Sequence, residues 1–250
     1  MTERTAASVL DFDRLRQLDR FGSVRLVRRT GSTNSDALAG PLPPLPALLV
    51  AERQTGGRGR GGHRWHSRAG DLTFSITLAP RPVEQTGRVA LTSGLAVAGV
   101  CERFGCRFVG LKWPNDVVVW DAGRLRKLAG VLVETRPDRV VVGVGVNGPP
   151  IAADHPDRTS VADETGRDID PTTLLAAIVS EIVELATAEQ PTPLRDNIQR
   201  RNVLFGRRIT SGLGDGIAGA IQYDGSLELL TDAGEAVRIR SGSVRLLPTG

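Results

Sequence analysis

The sequence predicts an α+β protein in which a mixed β-sheet carries packed helices and is followed by a small all-β unit. Apolar, β-branched runs of strand length recur between residues 47 and 146, as expected for a sheet covered on at least one face. Residues 87–105 and 171–188 are long stretches of small and aliphatic residues with helical spacing. From Gly206 the chain changes to strand-length pieces separated by GDG, YDG and DAG turns.

The elements of the larger part follow from local signals along the chain. A short helix is predicted around residues 12–18, and Ser32 and Thr33 stand where the cap of a second short helix belongs. The patterns predict strands at residues 47–53, 71–78, 108–113, 116–120, 128–135 and 139–146, and helices at 87–105, 171–188 and 194–205. The proline-rich residues 40–46 are interpreted as a connecting loop.

The C-terminal all-β unit is predicted to be a barrel. It holds roughly 45 residues, and a sheet that short must close on itself to bury a core. We therefore expect two domains, one of residues 1–203 and one of residues 204–250.

The charge balance does not favour a nucleic-acid-binding protein. The chain of 250 residues has 32 Lys plus Arg against 28 Asp plus Glu, and the formal net charge of +4 is spread over its whole length. Lys112 and Lys127 are the two lysines, and every other member of this basic set is arginine. Because nearly every basic position is occupied by arginine, the two lysines are candidates for a task that a guanidinium cannot perform.

Cysteine content and hydropathy predict a cytoplasmic protein without a membrane partner. Cys101 and Cys106 are the two cysteines, and no histidines stand at metal-ligand spacing, so neither a disulfide framework nor a zinc site is expected. The longest apolar runs are too short to span a bilayer, and the first residues lack the apolar segment of a signal peptide.

Five short segments at predicted strand ends or helix starts carry the residues suited to chemistry. Such positions are where sheets with helices commonly place their sites. The segments are GSTN (31–34), QTGGRGRGGHRW (54–65), KWPND (112–116), RKLAGVLVE (126–134) and GVGVN (143–147). Both lysines and three of the five asparagines fall inside them. Together they predict a site for a phosphate-bearing anion, with uncharged groups that hydrogen-bond to a polar ring.

Each segment also has a simpler interpretation when it is taken alone. GSTN can be an ordinary helix cap, KWPND an ordinary turn, and the glycine-arginine stretch a solvated loop or a nucleic-acid tether. Familiar catalytic and nucleotide motifs do not fit. GVGVN lacks the third glycine of a dinucleotide fingerprint, GGRGRGG lacks the GK[ST] of a P-loop, and GSTNS is not a nucleophile elbow.

The order of these segments resembles that of bacterial biotin protein ligases. The shared pattern is STN, then Q-x-x-GRGR-x-G-x-x-W-x-S at residues 54–67, then KWPND, KLAGVLVE and GVGVN. It spans about residues 30–147, and the tail from about residue 204 is similar to the family's small SH3-like domain. The resemblance is to the monofunctional type without an N-terminal DNA-binding domain. It implies a class II synthetase-like catalytic domain at residues 1–203.

The resemblance implies a reaction in two steps. Biotin attacks the α-phosphate of ATP to give biotinyl-5′-adenylate and pyrophosphate, with Mg²⁺ on the phosphates. A lysine of a biotin carboxyl carrier protein then displaces AMP.

A monomer or weak homodimer that binds no DNA is also expected. The nearest alternative is a lipoate- or octanoate-protein ligase of the same fold, which carries a different glycine-rich motif. A biotin-responsive repressor and an RNA-binding protein are weaker alternatives.

The resemblance also implies roles for individual residues. Arg58 and Lys127 are the implied catalytic residues, because they would neutralise the biotin carboxylate and the α-phosphate. The implied biotin-binding residues are Ser32, Thr33, Asn34, Gln54, Arg58, Gly59, Arg60 and Lys127. The implied ATP- and adenylate-binding residues are Arg58, Arg60, Trp65, Lys112, Asn115, Asp116, Lys127 and Asn147. No metal ligand is assigned, and Mg²⁺ on the ATP phosphates is expected near Asp116.

Two departures from the family pattern concern the glycine-arginine loop and the end of GVGVN. The family often continues GRGR with further basic residues, whereas this chain has Gly61, Gly62 and His63. GVGVN runs into GPP instead of a further apolar strand. We expect residues 54–67 to close over the adenylate, since an acyl phosphate must be kept from water.

Overall fold

Helices and strands are mixed in the first part of the chain, and strands alone follow the last helix. The computed structural model describes residues 9–121, 123–152, 155–187 and 191–247. The helices are α1 (Phe12–Arg16), α2 (Thr33–Ala39), α3 (Thr86–Arg103), α4 (Val161–Thr165), α5 (Pro171–Thr187) and α6 (Pro191–Arg200). The strands are β1 (Ser23–Thr30), β2 (Ala47–Gln54), β3 (Leu72–Leu78), β4 (Val109–Lys112), β5 (Asp116–Asp121), β6 (Arg124–Arg136), β7 (Arg139–Val146), β8 (Arg208–Ser211), β9 (Gly214–Ile221), β10 (Leu227–Thr231), β11 (Ala236–Ile239) and β12 (Arg245–Leu246).

Strands β1 to β7 form one mixed sheet in the order β1-β2-β3-β7-β6-β5-β4. β1 and β2 run parallel, whereas the other neighbouring strands are antiparallel. α3 and α5 pack on one face of this sheet, where Val140, Val142 and Val144 of β7 join the hydrophobic core. Because side chains alternate along a strand, Gly143 and Gly145 belong to the opposite face. This mixed sheet with helices confirms the predicted α+β class.

The opposite face of the sheet carries α2, which is fixed at both ends. Oγ of Ser32 accepts a hydrogen bond from the backbone N of Ser35 at 3.5 Å, so the predicted cap is confirmed. At the other end, Nη1 of Arg139 donates to the carbonyl oxygens of Ala37 and Gly40 at 2.9 and 3.0 Å. Two carbonyl groups at the C-terminal end of the helix are thereby satisfied, and that end is anchored to the first residue of β7.

Two elements were missed by sequence analysis. β1 pairs along β2 and forms an edge of the sheet. Its Arg25, Arg28 and Arg29 are exposed, as is common on edge strands, and they obscure the apolar alternation that identifies a strand. α4 is too short to show a helical period, although Ser160 caps it by accepting from the backbone N of Asp163. α6 begins and ends earlier than predicted, starting at a proline that suits the first turn of a helix.

Strands β8 to β12 form a separate antiparallel sheet in the order β11-β10-β9-β8-β12. Ile209, Ala218, Leu227 and Leu229 are buried in it. β11 and β12 are its edges, and no ladder of hydrogen bonds joins them within residues 191–247. The sheet is therefore open in the described residues, and its closure into a barrel stays a prediction.

The two cysteines lie near the end of α3. Cys101 is inside the helix and Cys106 follows it, and both are buried free thiols, as predicted. Across the described ranges, no helix has both the length and the apolar character needed to cross a membrane.

Candidate active site

A cavity of about 510 Å³ opens on the face of the sheet that carries α2. All five segments singled out in the sequence contribute to its walls. Of the predicted site residues, all except Asn147 line it: Ser32, Thr33, Asn34, Gln54, Arg58, Gly59, Arg60, Trp65, Lys112, Asn115, Asp116 and Lys127. The fold therefore brings residues that are far apart in the sequence into one site.

Neutral polar groups form one end of the cavity. Oε1 of Gln54, the last residue of β2, accepts hydrogen bonds from the backbone N of Thr33 at 2.7 Å and from its Oγ1 at 3.1 Å. Beneath them, Oγ of the buried Ser75 lies 2.7 Å from Oγ1 of Thr33 and 2.6 Å from Oδ1 of Asn34. Since Oε1 of Gln54 is engaged, its amide nitrogen is the group left to donate. This end suits a neutral ring with donors and acceptors of its own.

Asn34 braces the floor of this polar end. Its Nδ2 donates to the carbonyl oxygen of Leu132 at 3.1 Å and to Oε2 of Glu134 at 2.8 Å, so both amide protons are used within the protein. Gly143 makes this arrangement possible, because a Cβ atom there would lie 2.2 Å from Oδ1 of Asn34. Asn34 therefore acts as a support for the pocket more than as a donor to a ligand.

The second glycine of GVGVN makes room for Trp65. A Cβ atom on Gly145 would lie 2.2 Å from Cε2 of the indole, so the ring packs directly against β7. Its Nε1 is buried and has no hydrogen-bond partner in the described part of the chain. The glycines of GVGVN thus permit close approach of site side chains, a role unrelated to a dinucleotide fingerprint.

The glycine-arginine loop folds as a small hairpin beside the cavity. Arg58 and Arg64 form an antiparallel bridge, and the backbone N of Gly59 donates to the carbonyl oxygen of His63 at 2.7 Å. Gly61, in the turn of this hairpin, has a φ of 61°, a left-handed conformation that favours glycine. The glycines therefore shape a defined turn that carries the arginines along the cavity wall.

The two arginines of GRGR have different surroundings. Nη2 of Arg58 lies 2.7 Å from Oε2 of Glu134. Arg60 lines the cavity, and its guanidinium has no side-chain hydrogen bond or ion pair among the described residues. Burial lowers the pKa of Arg60 below its usual value, and the nearby charge of Asp116 offsets this only in part. A partly desolvated cation without a partner is well suited to bind an anion.

Lys127 reaches the cavity beside a β-bulge. Val118 of β5 pairs with Lys127 of β6, and the register of the two strands shifts between Val117 and Val118. A bulge of this kind redirects side chains next to a site. Nζ of Lys127 lies 2.6 Å from Oδ1 of Asp116 and 5.8 Å from the centre of the Trp65 ring. Arg60 also feels the charge of Asp116, and Lys112 pairs with Asp116 in the β4–β5 register. These three cations around one carboxylate form the cationic end of the cavity.

Asn147 does not line the cavity, which differs from its implied contact with the nucleotide. Its Nδ2 donates to the carbonyl oxygens of Lys127 at 3.0 Å and Thr159 at 2.9 Å. The backbone N of Lys127 in turn donates to the carbonyl oxygen of Asp157 at 2.8 Å. The Asn147 amide is committed to the main chain, so this residue fixes the backbone that carries the lysine.

The KWPND turn joins β4 to β5 and is held from two sides. Nδ2 of Asn115 donates to the carbonyl oxygen of Val131 at 2.7 Å. Trp113 is buried, and its Nε1 donates to the carbonyl oxygen of Gly225 in the C-terminal sheet at 2.8 Å. The turn thereby presents Lys112 to the cavity, with no ion-pair partner for that ammonium in the described ranges.

Comparisons with known proteins identify the family. The Biotin/lipoate A/B protein ligase family profile matches residues 25–147. A Mycobacterium tuberculosis protein named biotin–[acetyl-CoA-carboxylase] ligase is 34% identical, over 92% of this chain and 88% of its own length. The chain belongs to the biotin protein ligase family. A ligase of the same name from Paracoccus denitrificans is 32% identical over 85% of this chain and 96% of its own.

A solved structure of the biotin protein ligase family has the same fold. The biotin protein ligase from Aquifex aeolicus in complex with biotin and ATP matches with a TM-score of 0.80 and 29% identity. The match covers 91% of this chain and 100% of that chain. The mixed sheet with its helices is therefore the family's α+β fold, as the resemblance implied.

Sequence analysis missed three parts of the chain that contribute to the site. Ser75 had a readable signal, because Thr73, Ser75 and Thr77 alternate with large apolar residues in a strand that is buried throughout. Glu134 ends the KLAGVLVE motif, but nothing in the sequence pattern assigns it a contact. Residues 242–244, between β11 and β12, also line the cavity, and only the folded chain brings them there.

Proposed function

We infer that this chain is a biotin–[biotin carboxyl-carrier protein] ligase. It activates biotin with ATP to biotinyl-5′-adenylate and transfers biotin to a lysine of a biotin carboxyl carrier protein, forming an amide. The observation that carries this function is the division of one cavity into a neutral polar end and a cationic end. Relatives named as biotin–[acetyl-CoA-carboxylase] ligases, and a biotin and ATP complex of similar fold, support it.

Biotin matches the polarity of this cavity along its length. It has a neutral ureido ring with N–H donors and a carbonyl acceptor, an apolar ring and chain, and a carboxylate at the far end. We assign the ureido ring to Ser32, Thr33 and Gln54, whose uncharged groups line the polar end. Leu132, which pairs with Gly143 and so lies on the same face of the sheet, and the Trp65 ring supply apolar wall to the cavity. The carboxylate then points towards the cationic end.

The first step must bring two anions together. A carboxylate oxygen of biotin attacks the α-phosphorus of ATP, and pyrophosphate leaves with the electron pair of the broken P–O bond. We assign Arg58 and Lys127 to the carboxylate and the α-phosphate, and Arg60 to the same anionic region, because all three line the cavity. Cations fixed in advance where charge develops lower such a barrier without reorganising in the transition state.

Mg²⁺ is assigned to the ATP phosphates and not to a separate protein site. No group of three or more His, Cys, Asp or Glu in the described ranges is arranged to hold a metal ion. Asp116 lines the cavity, and its Oδ1 is already engaged by Lys127. Mg²⁺ often binds substrate phosphates together with one or two carboxylates. Asp116 is the residue that would reach an ion carried by ATP.

The second step transfers the biotinyl group to an amine. The neutral amine of the carrier lysine attacks the acyl carbon, the bond from that carbon to the phosphate oxygen breaks, and AMP leaves as the nitrogen loses a proton. We assign Lys112, Asn115 and Asp116 to the phosphates and the incoming lysine, because the KWPND turn borders the cavity beside Lys127. The proposed acceptor is the biotin-accepting domain of an acyl-CoA carboxylase, the enzyme class named for the relatives.

We also propose that the chain divides between residues 203 and 204. The seven-stranded sheet ends before this point and the five-stranded sheet begins after it, which supports a catalytic domain of residues 1–203 and an SH3-like domain of residues 204–250. A monomeric or weakly dimeric state, a cytoplasmic location and the lack of DNA binding stay predictions.

The experiment that tests the function is a biotin transfer assay. Purified protein is incubated with ATP, Mg²⁺, the biotin carrier domain of an acyl-CoA carboxylase, and either biotin or lipoate. We expect the mass of the carrier domain to rise by one biotinyl group, and a carrier with its acceptor lysine changed to arginine to stay unmodified. Transfer of lipoate without transfer of biotin would support the alternative, a lipoate-protein ligase of the same fold.

A further inference from the structure

Glu134 has no assigned step in the reaction, yet it joins two parts of the site. It lies on β6 opposite Val141 of β7 and does not line the cavity. Its Oε2 accepts hydrogen bonds from Nη2 of Arg58 at 2.7 Å and from Nδ2 of Asn34 at 2.8 Å. We propose that Glu134 is a positioning residue that holds Arg58, and with it the glycine-arginine loop, against the biotin pocket. This role rests on the function inferred above.

The contact with Asn34 fixes the carboxylate in place. Asn34 is buried, its second amide proton is donated to the carbonyl oxygen of Leu132, and its Oδ1 lies 2.6 Å from Oγ of Ser75. The absence of a side chain at Gly143 leaves just enough room for this amide. An amide held by bonds to two strands cannot follow the loop. Oε2 of Glu134 is therefore a fixed point on the sheet.

The contact with Arg58 orients that guanidinium and leaves it able to bind an anion. Only Nη2 is engaged by Glu134, and Nε and Nη1 have no partner among the described residues. Arg58 lines the cavity although Glu134 does not. A guanidinium is planar, so fixing one edge sets the direction of its remaining donors. Arg60 is near Asp116 but forms no ion pair or hydrogen bond with a carboxylate among the described residues, so it has no comparable restraint.

Loop ordering is the reason that this restraint matters. The glycine-rich hairpin loses backbone entropy when it is ordered, and glycine loses more than other residues. The pair of Arg58 and Glu134 ties the loop to the rigid sheet from within the arginine motif itself. The side chains of Arg58 and Glu134 are 43% and 25% exposed, so solvent screens the pair in part and its effect is moderate.

The first test measures loop opening in the protein without substrates. A protease that cuts after arginine should cleave the loop of Glu134→Gln about five- to tenfold faster than that of the parent, somewhat less than the effect of a buried hydrogen bond to a charged group, because solvent screens this pair. Glu181→Gln is the matched control, because Glu181 pairs with Arg103 at 2.7 Å and is 29% exposed, but lies on α5 away from the cavity. Equal cleavage of Glu134→Gln and the parent would overturn the proposal.

The second test asks whether Glu134 acts through Arg58. Pyrophosphate release with biotin and ATP is measured for Glu134→Gln, Arg58→Gln and the double variant. We expect Glu134→Gln to lower kcat/KM about five- to tenfold in the parent and less than about twofold once Arg58 is replaced, as contacting residues are not additive. If kcat/KM of the double variant falls by the product of the two single-variant losses, Glu134 does not act through Arg58.

These two readouts separate this proposal from the proposed function. Cleavage is measured without biotin or ATP, so it reports on the restraint even if the parent proves inactive with biotin. A parent that transfers no biotin refutes the function, whereas unchanged cleavage in an active parent refutes the role of Glu134.

Discussion

Nζ of Lys127 lies 2.6 Å from Oδ1 of Asp116, so an ammonium and a carboxylate form a compact ion pair at the cationic end of the cavity. The main chain on either side of this lysine is fixed, since Asn147 donates to its carbonyl oxygen and its own N–H donates to Asp157. Because the backbone of Lys127 is fixed, its ammonium can release the Asp116 carboxylate and bind an anionic substrate with little movement.

Lys127→Arg should keep the fold and slow adenylation by about 10²–10³, the usual scale for losing one preorganised electrostatic contact. A planar guanidinium needs more room than an ammonium and approaches Asp116 from a different direction. Pyrophosphate release with biotin and ATP measures the rate, and a thermal melt checks folding. Arg124→Lys, an exposed change on the same strand, is the control and should stay within about twofold, well under one tenfold step. A Lys127→Arg enzyme with near-parental activity would mean that any cation suffices.

Gly143→Ala should lower the free energy of unfolding by about 1–3 kcal/mol, the cost of adding a methyl group to a packed site. The new Cβ would lie 2.2 Å from Oδ1 of Asn34, so the amide must move and the KM for biotin should rise. Urea denaturation and steady-state kinetics measure the two effects. Gly212→Ala is the control, because no heavy atom lies within 4 Å of a Cβ there. Unchanged stability and KM in Gly143→Ala would show that Asn34 is not held as described.

Trp113→Phe should destabilise the protein by about 1–3 kcal/mol, because it leaves a carbonyl oxygen unpaired where Nε1 now donates to Gly225. It should also reduce adenylation, since the KWPND turn loses its link to the C-terminal sheet. Trp120→Phe serves for comparison: the Trp120 ring is stacked by Arg207, and its indole nitrogen has no hydrogen bond among the described residues. If the two variants lose equal stability and activity, the hydrogen bond between the KWPND turn and the C-terminal sheet does not contribute to either.

Biotin together with ATP should protect the glycine-arginine loop from a protease that cuts after arginine. Ligand contacts from Arg58 and Arg60 must offset the entropy of ordering the loop, which is roughly 1–2 kcal/mol per residue fixed. The parent is digested with and without both substrates, and fragments are identified by mass. Biotin with a non-hydrolysable ATP analogue controls for turnover. Equal cutting in all samples would argue against a loop that closes on its ligand.

The predictable parts of the fold were those with a strong local pattern. β2, β5 and β7 contain runs of apolar residues, and β3 alternates Thr and Ser with large apolar residues, so all four are predicted from the sequence. β1 was not, because exposed arginines interrupt its alternation. The site segments were also recognisable, since lysine and asparagine are scarce in this chain and fall inside them.

The contacts within the site were not predictable from the sequence. Asn147 belongs to a recognised motif, yet its amide bonds to backbone carbonyls behind Lys127. Glu134 is one of many acidic residues until the fold brings it to Arg58. Such roles depend on distances across the sheet, which a one-dimensional pattern does not contain.

The wall contributed by residues 242–244 makes the C-terminal sheet part of the enclosure of the site. The segment between β11 and β12 completes a cavity whose other walls come from the seven-stranded sheet and its loops. It thereby helps to keep water from an acyl phosphate held there. A change in the C-terminal sheet can therefore alter the site without replacing any of its charged residues.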